Sequence, residues 1–234
     1  MSERIRLNPI PETHTIPKTG RVMKRRIREV ESAGRSDMPN SAGYEKKYLH
    51  EISLRSGKTI SLVERAFDDR LGIADPDKYI KRWQAFKDAG LPVVRFIRRS
   101  EKGIFMKNLK HDGSEIFGKG YLTIIEDQED NSRGKIPLLT EMENKFIRIM
   151  ETDLPKIRLN LDDIVRKAKD NDLLLPSDDP FELLIHPNGT WEIIILDLSY
   201  ARIDNDTHFN GPLVTNALEQ LIELKDHLLA RPKP

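Results

Sequence analysis

Two apolar segments near the carboxyl end, residues 181–186 and residues 190–197, are separated only by Pro187, Asn188 and Gly189. Asn-Gly between apolar runs is the strongest short-range signal for a β-hairpin, because its tight turn needs positive φ angles that few other residues adopt. The sequence therefore predicts an antiparallel hairpin over residues 181–197. Any fold predicted for the whole chain must therefore contain this hairpin.

The stretch over residues 44–110 has mainly the composition of strands. Gly57 and Lys58 interrupt two β-rich runs, which predicts a second hairpin rather than a phosphate-binding loop, because a strand and not a helix follows. Asp75 and Pro76 are typical of a helix start, and Gly90 is typical of a helix end. The predicted order is β-β-α-β-β, with strands over residues 48–54, 59–67, 91–97 and 103–109 and a helix over residues 75–90.

The remainder is mainly helical. Apolar residues recur at helical spacing over residues 137–153 and 155–169, and Pro155 should break the two segments apart because proline cannot donate to the preceding turn. A last helix is predicted over residues 211–229.

Residues 1–43 differ in composition, with nine basic and five acidic residues and little apolar periodicity. We expect a solvated, flexible arm with a short helix near residues 22–30. The alternative is that the basic run at residues 21–28 binds an acidic partner or a nucleic acid.

Composition excludes several classes of function. Lys and Arg number 39 against 38 Asp and Glu, so net charge gives no reason to expect a nucleic-acid or membrane partner. The absence of cysteine excludes disulfides, thiolate metal sites and a cysteine nucleophile. The six histidines are scattered, and we expect none of them to pair with a carboxylate at ligand spacing, so no transition-metal site is predicted. No targeting or membrane-spanning segment is recognised, which predicts a cytoplasmic protein.

Asp197 is the most informative acidic residue, because it ends the continuous apolar run of residues 193–196. A carboxylate at the end of a buried strand is held firmly and suits a Mg²⁺ ligand. The alternative is that Asp197 caps the following turn at Leu198 and Ser199.

In element order, this chain resembles the two-lobed protein-kinase-like fold. In that family Asp-Phe-Gly closes such a hairpin and its aspartate binds the metal; here the corresponding residues are Asp197, Leu198 and Ser199. The resemblance implies a bilobal α+β protein, with a small antiparallel-sheet N-lobe over residues 44–110 and a mainly helical C-lobe over residues 111–234. It also implies that Met106, at the hinge strand, and Arg65, on the third strand, contact a nucleotide.

The chain departs from the family pattern at several functional positions. Residues 44–56, where the glycine-rich loop is expected, contain no glycine, and the helix over residues 75–90 contains no glutamate. The third-strand lysine is replaced by Glu64 or Arg65, neither of which reproduces its compact phosphate contact. The catalytic loop has no histidine or asparagine, which leaves the acidic residues of this stretch as candidates: Asp178 or Asp179 as the base and Glu182 as a second metal ligand.

These features predict a non-catalytic or nearly inactive kinase-like domain that acts as a binding or regulatory module for another protein. No cofactor is expected on this interpretation. The alternatives are a divergent phosphotransferase that uses Mg·ATP and an unrelated α+β interaction domain.

Overall fold

The computed structural model describes most of the chain from residue 22 onward. The described residues are 22–30, 46–54, 57–66, 75–100, 103–131, 138–176, 180–196, 198, 202–203 and 213–231. Side chains are described for these residues except 22–30, 46–47, 54, 127–131 and 202–203.

The described residues of the first half form a five-stranded antiparallel sheet and one helix. The strands are β1 (Val22–Val30), β2 (Lys46–Leu54), β3 (Thr59–Ala66), β4 (Phe96–Arg99) and β5 (Gly103–Lys107), in the spatial order β1-β2-β3-β5-β4. Gly57, at a φ of 80°, lies in the turn between β2 and β3, as the sequence predicted.

Helix α1 (Pro76–Asp88) connects β3 to β4 and matches its prediction closely. The Asp75 side chain accepts a hydrogen bond from the Asp77 N–H at 2.8 Å, and Gly90 follows the helix at a φ of 71°. Tyr79, Trp83 and Phe86 form its buried face, and the Trp83 indole N–H donates to the Val94 carbonyl at 2.7 Å.

The helix predicted near residues 22–30 is wrong. These residues form β1, which pairs antiparallel with β2 from Val22 opposite Leu54 to Val30 opposite Lys47. A neighbouring strand supplies the hydrogen bonds, and such long-range pairing overrides local helix propensity. Nine residues of the predicted arm therefore belong to the sheet, and the observed order is β-β-β-α-β-β. The domain boundaries at residues 43 and 110 stay predictions.

The described residues of the second half form four helices and several short strands. They are β6 (Glu115–Phe117), α2 (Lys119–Asn131), α3 (Glu141–Thr152), α4 (Leu154–Asp170), β7 (Leu173–Leu174), β8 (Phe181–Ile185), β9 (Trp191–Ile195), β10 (Arg202–Ile203) and α5 (Leu213–Leu229). Strands β6, β8 and β9 form one antiparallel sheet, and β7 pairs with β10. The hairpin of β8 and β9 is confirmed, with Gly189 at a φ of 83° in its turn.

Pro155 lies in the first turn of α4, which is separated from α3 by Asp153 alone. The predicted break between these helices is thus confirmed. Strand β6 and helix α2 were not predicted. None of the helices in the described part of the chain is long and apolar enough to cross a membrane. The predicted α+β class is confirmed, whereas the division into two kinase-like lobes stays a prediction.

One apolar core joins the two halves. The Ile195 N–H donates to the Pro92 carbonyl at 2.8 Å, and Val93 forms a parallel bridge with Ile195. The hairpin therefore packs directly against the segment that follows α1. Trp191 is half-buried, and its indole N–H donates to Asp153 at 2.7 Å. The core takes residues from both halves, among them Phe86, Ile104, Phe117, Phe146, Ile193, Ile195 and Leu224.

We expect Ile195→Ala to lower the free energy of unfolding by about 2–5 kcal/mol, because Ile195 is only 1% exposed and its truncation leaves a cavity. Urea denaturation followed by circular dichroism measures the change. Leu159→Ala is the control, since Leu159 is 68% exposed and its truncation should cost less than about 0.5 kcal/mol. A similarly small loss for Ile195→Ala would place that residue outside the core.

Candidate functional site

The end of β9, helix α1 and strand β3 meet at the Arg65 side chain. Arg65 is only 5% exposed. Its Nη1 donates to the Tyr79 hydroxyl oxygen and to the Leu196 carbonyl oxygen, both at 3.1 Å. The Tyr79 hydroxyl in turn donates to the Leu196 carbonyl at 3.4 Å, and the guanidinium carbon lies 5.2 Å from the centre of the Tyr79 ring. Arginine, tyrosine and carbonyl thus form one small cluster.

Helix α1 also contacts Leu198, the residue that follows Asp197. Arg82 Nη1 donates to the Leu198 carbonyl at 3.3 Å. The backbone carbonyls immediately before and after Asp197 are therefore both hydrogen bonded to side chains of this helix. Asp197 itself lies outside the described residues, so its assignment as a metal ligand stays a prediction.

The two third-strand candidates, Glu64 and Arg65, point to opposite faces of the sheet because successive strand residues alternate. On the face away from Tyr79, Glu64 Oε2 lies 2.9 Å from His50 Nε2, and neither side chain is more than 1% exposed. The His50 ring meets the Phe105 ring edge-on, with centroids 5.0 Å apart. Arg65 contacts α1 through Tyr79 and the end of β9 through the Leu196 carbonyl, whereas Glu64 faces His50.

Met106, the predicted hinge-strand contact, lies on β5 and is 5% exposed. It is opposite Val63 on β3 and Phe96 on β4, and it belongs to the apolar core. Beyond β5, the Asn108 amide donates to the Ser61 hydroxyl at 2.8 Å, which ties the chain leaving the sheet back to β3. The assignment of Met106 as a nucleotide contact stays a prediction.

The Glu182 carboxylate lies against Gly118, so close that a Cβ atom at position 118 would overlap it. The Gly118 carbonyl accepts hydrogen bonds from Tyr121 and Leu122, which places Gly118 directly before the first turn of α2. A carboxylate is favoured at this end of a helix, where backbone N–H groups point outward. The structure thus locates Glu182 at the amino end of α2, and its assignment as a metal ligand stays a prediction.

Asp178 and Asp179, the predicted bases, lie outside the described residues. The flanking residues Leu175, Pro176 and Pro180 are buried, so both ends of this connection are packed against the protein. How the two aspartates are placed relative to Asp197 and Glu182 is a prediction of the kinase-like resemblance alone.

A serine, a histidine and a glutamate also meet near the β8–β9 turn. Ser114 Oγ lies 2.9 Å from His186 Nδ1, and His186 Nε2 lies 3.3 Å from Glu192 Oε1. However, Ser114 is 2% exposed and its hydroxyl donates to Asp112 at 2.6 Å. This hydrogen bond holds the pKa of the Asp112 carboxyl below its usual value. The single hydroxyl hydrogen is committed to Asp112, so His186 does not activate Ser114 as a nucleophile.

Sequence reasoning missed Tyr79 and Arg82 as members of the site. Tyr79 lies on the buried face of α1 with Trp83 and Phe86, and no role is predicted for its hydroxyl from the sequence. Arg82, three residues later, lies on the same side of the helix as Tyr79. The signal in the sequence was that two side chains with polar end groups, Tyr79 and Arg82, lie three residues apart on one side of the predicted helix.

No protein-family model and no curated protein sequence matches the chain. Among solved structures, it is similar to the crystal structure of choline kinase LicA from Streptococcus pneumoniae, with 10% sequence identity and a TM-score of 0.36. The match covers 87% of this chain and 74% of that chain. A structural match this distant is not evidence of function, which therefore has to be inferred from the side-chain contacts of this chain.

We expect Tyr79→Phe to lower the free energy of unfolding by about 1 kcal/mol, because the phenol both accepts from Arg65 and donates to Leu196. Arg65→Met should cost more, and a double-mutant cycle should give a coupling between the two on the order of 1 kcal/mol. Urea denaturation of the four proteins measures it, with Tyr48→Phe on β2 as the control. Additive losses at positions 65 and 79 would show that the two side chains do not stabilise each other.

Proposed function

We propose that this chain is a kinase-like domain with little or no catalytic activity that acts as a binding or regulatory module for another protein. The observation that supports the proposal is the Arg65 cluster. In the kinase-like family, the third-strand lysine contacts the nucleotide phosphates and pairs with a glutamate of the following helix. Here the same two elements, β3 and α1, are joined by Arg65 and Tyr79.

This replacement changes what the third strand can offer a nucleotide. The planar guanidinium of Arg65 is directed at a phenol and a backbone carbonyl inside the protein. It does not supply the compact, rotatable ammonium of a lysine. Phosphoryl transfer depends almost entirely on positioning and electrostatic stabilisation of the phosphates. A chain that uses its third-strand cation to hold α1 against β9 is poorly equipped for that reaction.

A second candidate, a divergent Mg·ATP-dependent phosphotransferase, is favoured by the position of β1. The resemblance places the nucleotide-covering loop at the start of the small sheet, and the first connection of the observed sheet is residues 31–45. This segment holds Gly34 and Gly43, whereas residues 44–56 contain no glycine. Two glycines nine residues apart do not make the G-x-G-x-x-G pattern, so the non-catalytic proposal is preferred.

We expect no thermal stabilisation by millimolar Mg·ATP and no phosphotransfer. A ligand of micromolar affinity at that concentration would stabilise the fold by roughly 4 kcal/mol, which a thermal-shift measurement detects readily. Asp197→Asn tests the predicted metal ligand, and Asp226→Asn on α5 is the matched control. A shift and turnover in the wild type and in Asp226→Asn, both lost in Asp197→Asn, would overturn the proposal in favour of the phosphotransferase.

The proposed partner contact is the basic run at residues 21–28. Most of it lies in β1, which is an edge strand among the strands that the structure describes, so none of those strands pairs with its outer side. Lys24, Arg25, Arg26 and Arg28 give this edge a concentration of positive charge. We propose that it contacts an acidic protein surface.

With a polyglutamate peptide as the probe, we expect binding to weaken several-fold between about 50 mM and 200 mM salt, because the contact is between opposite charges. Fluorescence anisotropy measures the affinity. Replacing Lys24, Arg25 and Arg26 by serine should remove binding, and Lys225→Ser on α5 should not. Affinity that is independent of salt, or unchanged by the triple replacement, would exclude this role.

A further inference from the structure

Helices α2 and α5 pack against each other in the second half of the protein and bring three potential metal ligands together. Glu223 and His227 are four residues apart on α5 and therefore lie on one face of that helix. Glu126 comes from α2. One ligand atom from each of the three side chains lies within 4.8 Å of the other two. The two glutamates are exposed and His227 is half-buried, so the group is open to an ion from solvent.

The kinds of ligand in this group identify the class of ion. Magnesium and calcium prefer sites made wholly of oxygen atoms, whereas an imidazole nitrogen favours zinc and other first-row transition metals. One imidazole with two carboxylates can fill three positions of a tetrahedral Zn²⁺ site and leaves the fourth to water. Ligand atoms around Zn²⁺ lie roughly 3.3 Å apart, since each metal–ligand distance is about 2.0–2.1 Å. The ligand atoms of the group, which lie within 4.8 Å of one another, therefore need to approach by at most about 1.5 Å, which a change of rotamer in the exposed glutamate side chains supplies.

The electrostatics of the group favour a cation as well. Two glutamates from different helices converge on the same small volume, and like charges at this separation repel each other. A bound divalent cation attracts both carboxylates, which offsets their mutual repulsion, and it links α2 to α5 through its ligands. The expectation that no histidine has a carboxylate at ligand spacing overlooked Glu223, which precedes His227 by one helical turn. Glu126 could not have been found from the sequence, because only the packing of the two helices brings it close.

We propose that Glu126, Glu223 and His227 form a binding site for a divalent transition metal of the Zn²⁺ class. The metal joins α2 to α5, and its free coordination position carries water. This site is independent of the residues on which the proposed function rests.

Isothermal titration calorimetry with Zn²⁺, in a buffer that does not chelate the metal, tests the site on the full chain. We expect one ion to bind per chain and the melting temperature to rise on saturation. Glu126→Gln, Glu223→Gln and His227→Gln should each weaken binding on the order of tenfold or more. Mg²⁺ at the same concentration should give much weaker binding, since the imidazole favours Zn²⁺.

Two variants of matched chemistry serve as controls. Glu219→Gln removes a charge one turn earlier on α5, and His111→Gln removes an exposed imidazole between β5 and β6. Both should bind Zn²⁺ like the wild type. The two glutamate variants alter exposed side chains and should keep the wild-type circular dichroism, so they decide the question even if His227→Gln does not fold.

Co²⁺ provides a second readout, because its visible absorption reports a low-coordinate site with nitrogen and oxygen ligands. We expect a one-to-one absorption titration in the wild type that Zn²⁺ reverses. No saturable binding in the wild type, or equal affinity in the wild type and the three ligand variants, would overturn the proposal. Binding of Mg²⁺ as tight as that of Zn²⁺ would also overturn it, since it would show that the imidazole is not a ligand.

Discussion

The guanidinium of Arg65 holds together parts of the chain that no local signal connects. Its Nη1 reaches Tyr79, 14 residues away, and the Leu196 carbonyl, 131 residues away. Because a buried cation loses its hydration, it is stable only where acceptors are fixed around it. The positions of β3, α1 and the end of β9 are therefore mutually dependent: moving α1 or the end of β9 removes an acceptor from a buried charge, and moving β3 withdraws that charge from both acceptors.

Two further buried polar contacts follow the same rule in other parts of the core. His50 and Glu64 pair within the first sheet. Arg231 donates to Glu143 at 3.1 Å, which fixes the end of α5 to the start of α3, and the Tyr121 hydroxyl donates to the same carboxylate oxygen. Burial and this carboxylate raise the pKa of Tyr121. Each of these contacts favours one arrangement of its elements, because removing one partner leaves a buried polar group without its hydrogen bond.

Local chemistry explains which parts of the fold could be predicted from the sequence. The hairpin of β8 and β9, the start and end of α1 and the break at Pro155 depend on turn residues, caps and proline, whose effects reach only a few residues. Strand β1 could not be predicted, because its hydrogen bonds come from β2 and its own composition is that of a charged segment. Strand β6 is only three residues long and is defined by its pairing with β8. The same limit applies to the site: Arg65 was identified as unusual, but the Tyr79 hydroxyl and the Leu196 carbonyl that hold it are distant in sequence.

The two tryptophans of the chain lie in different halves of the protein and in different surroundings. Trp83 is buried in α1 beside Val94, whereas Trp191 is half-buried at the start of β9, with its indole bound to Asp153 and the Lys156 ammonium 5.2 Å from its ring. The protein thus carries one tryptophan in each half, and excitation at wavelengths that tyrosine does not absorb selects its emission. Replacing either with phenylalanine leaves a single emission signal that reports the unfolding of one half. Comparing the two signals during unfolding distinguishes a protein that melts as one cooperative unit from one whose halves separate first.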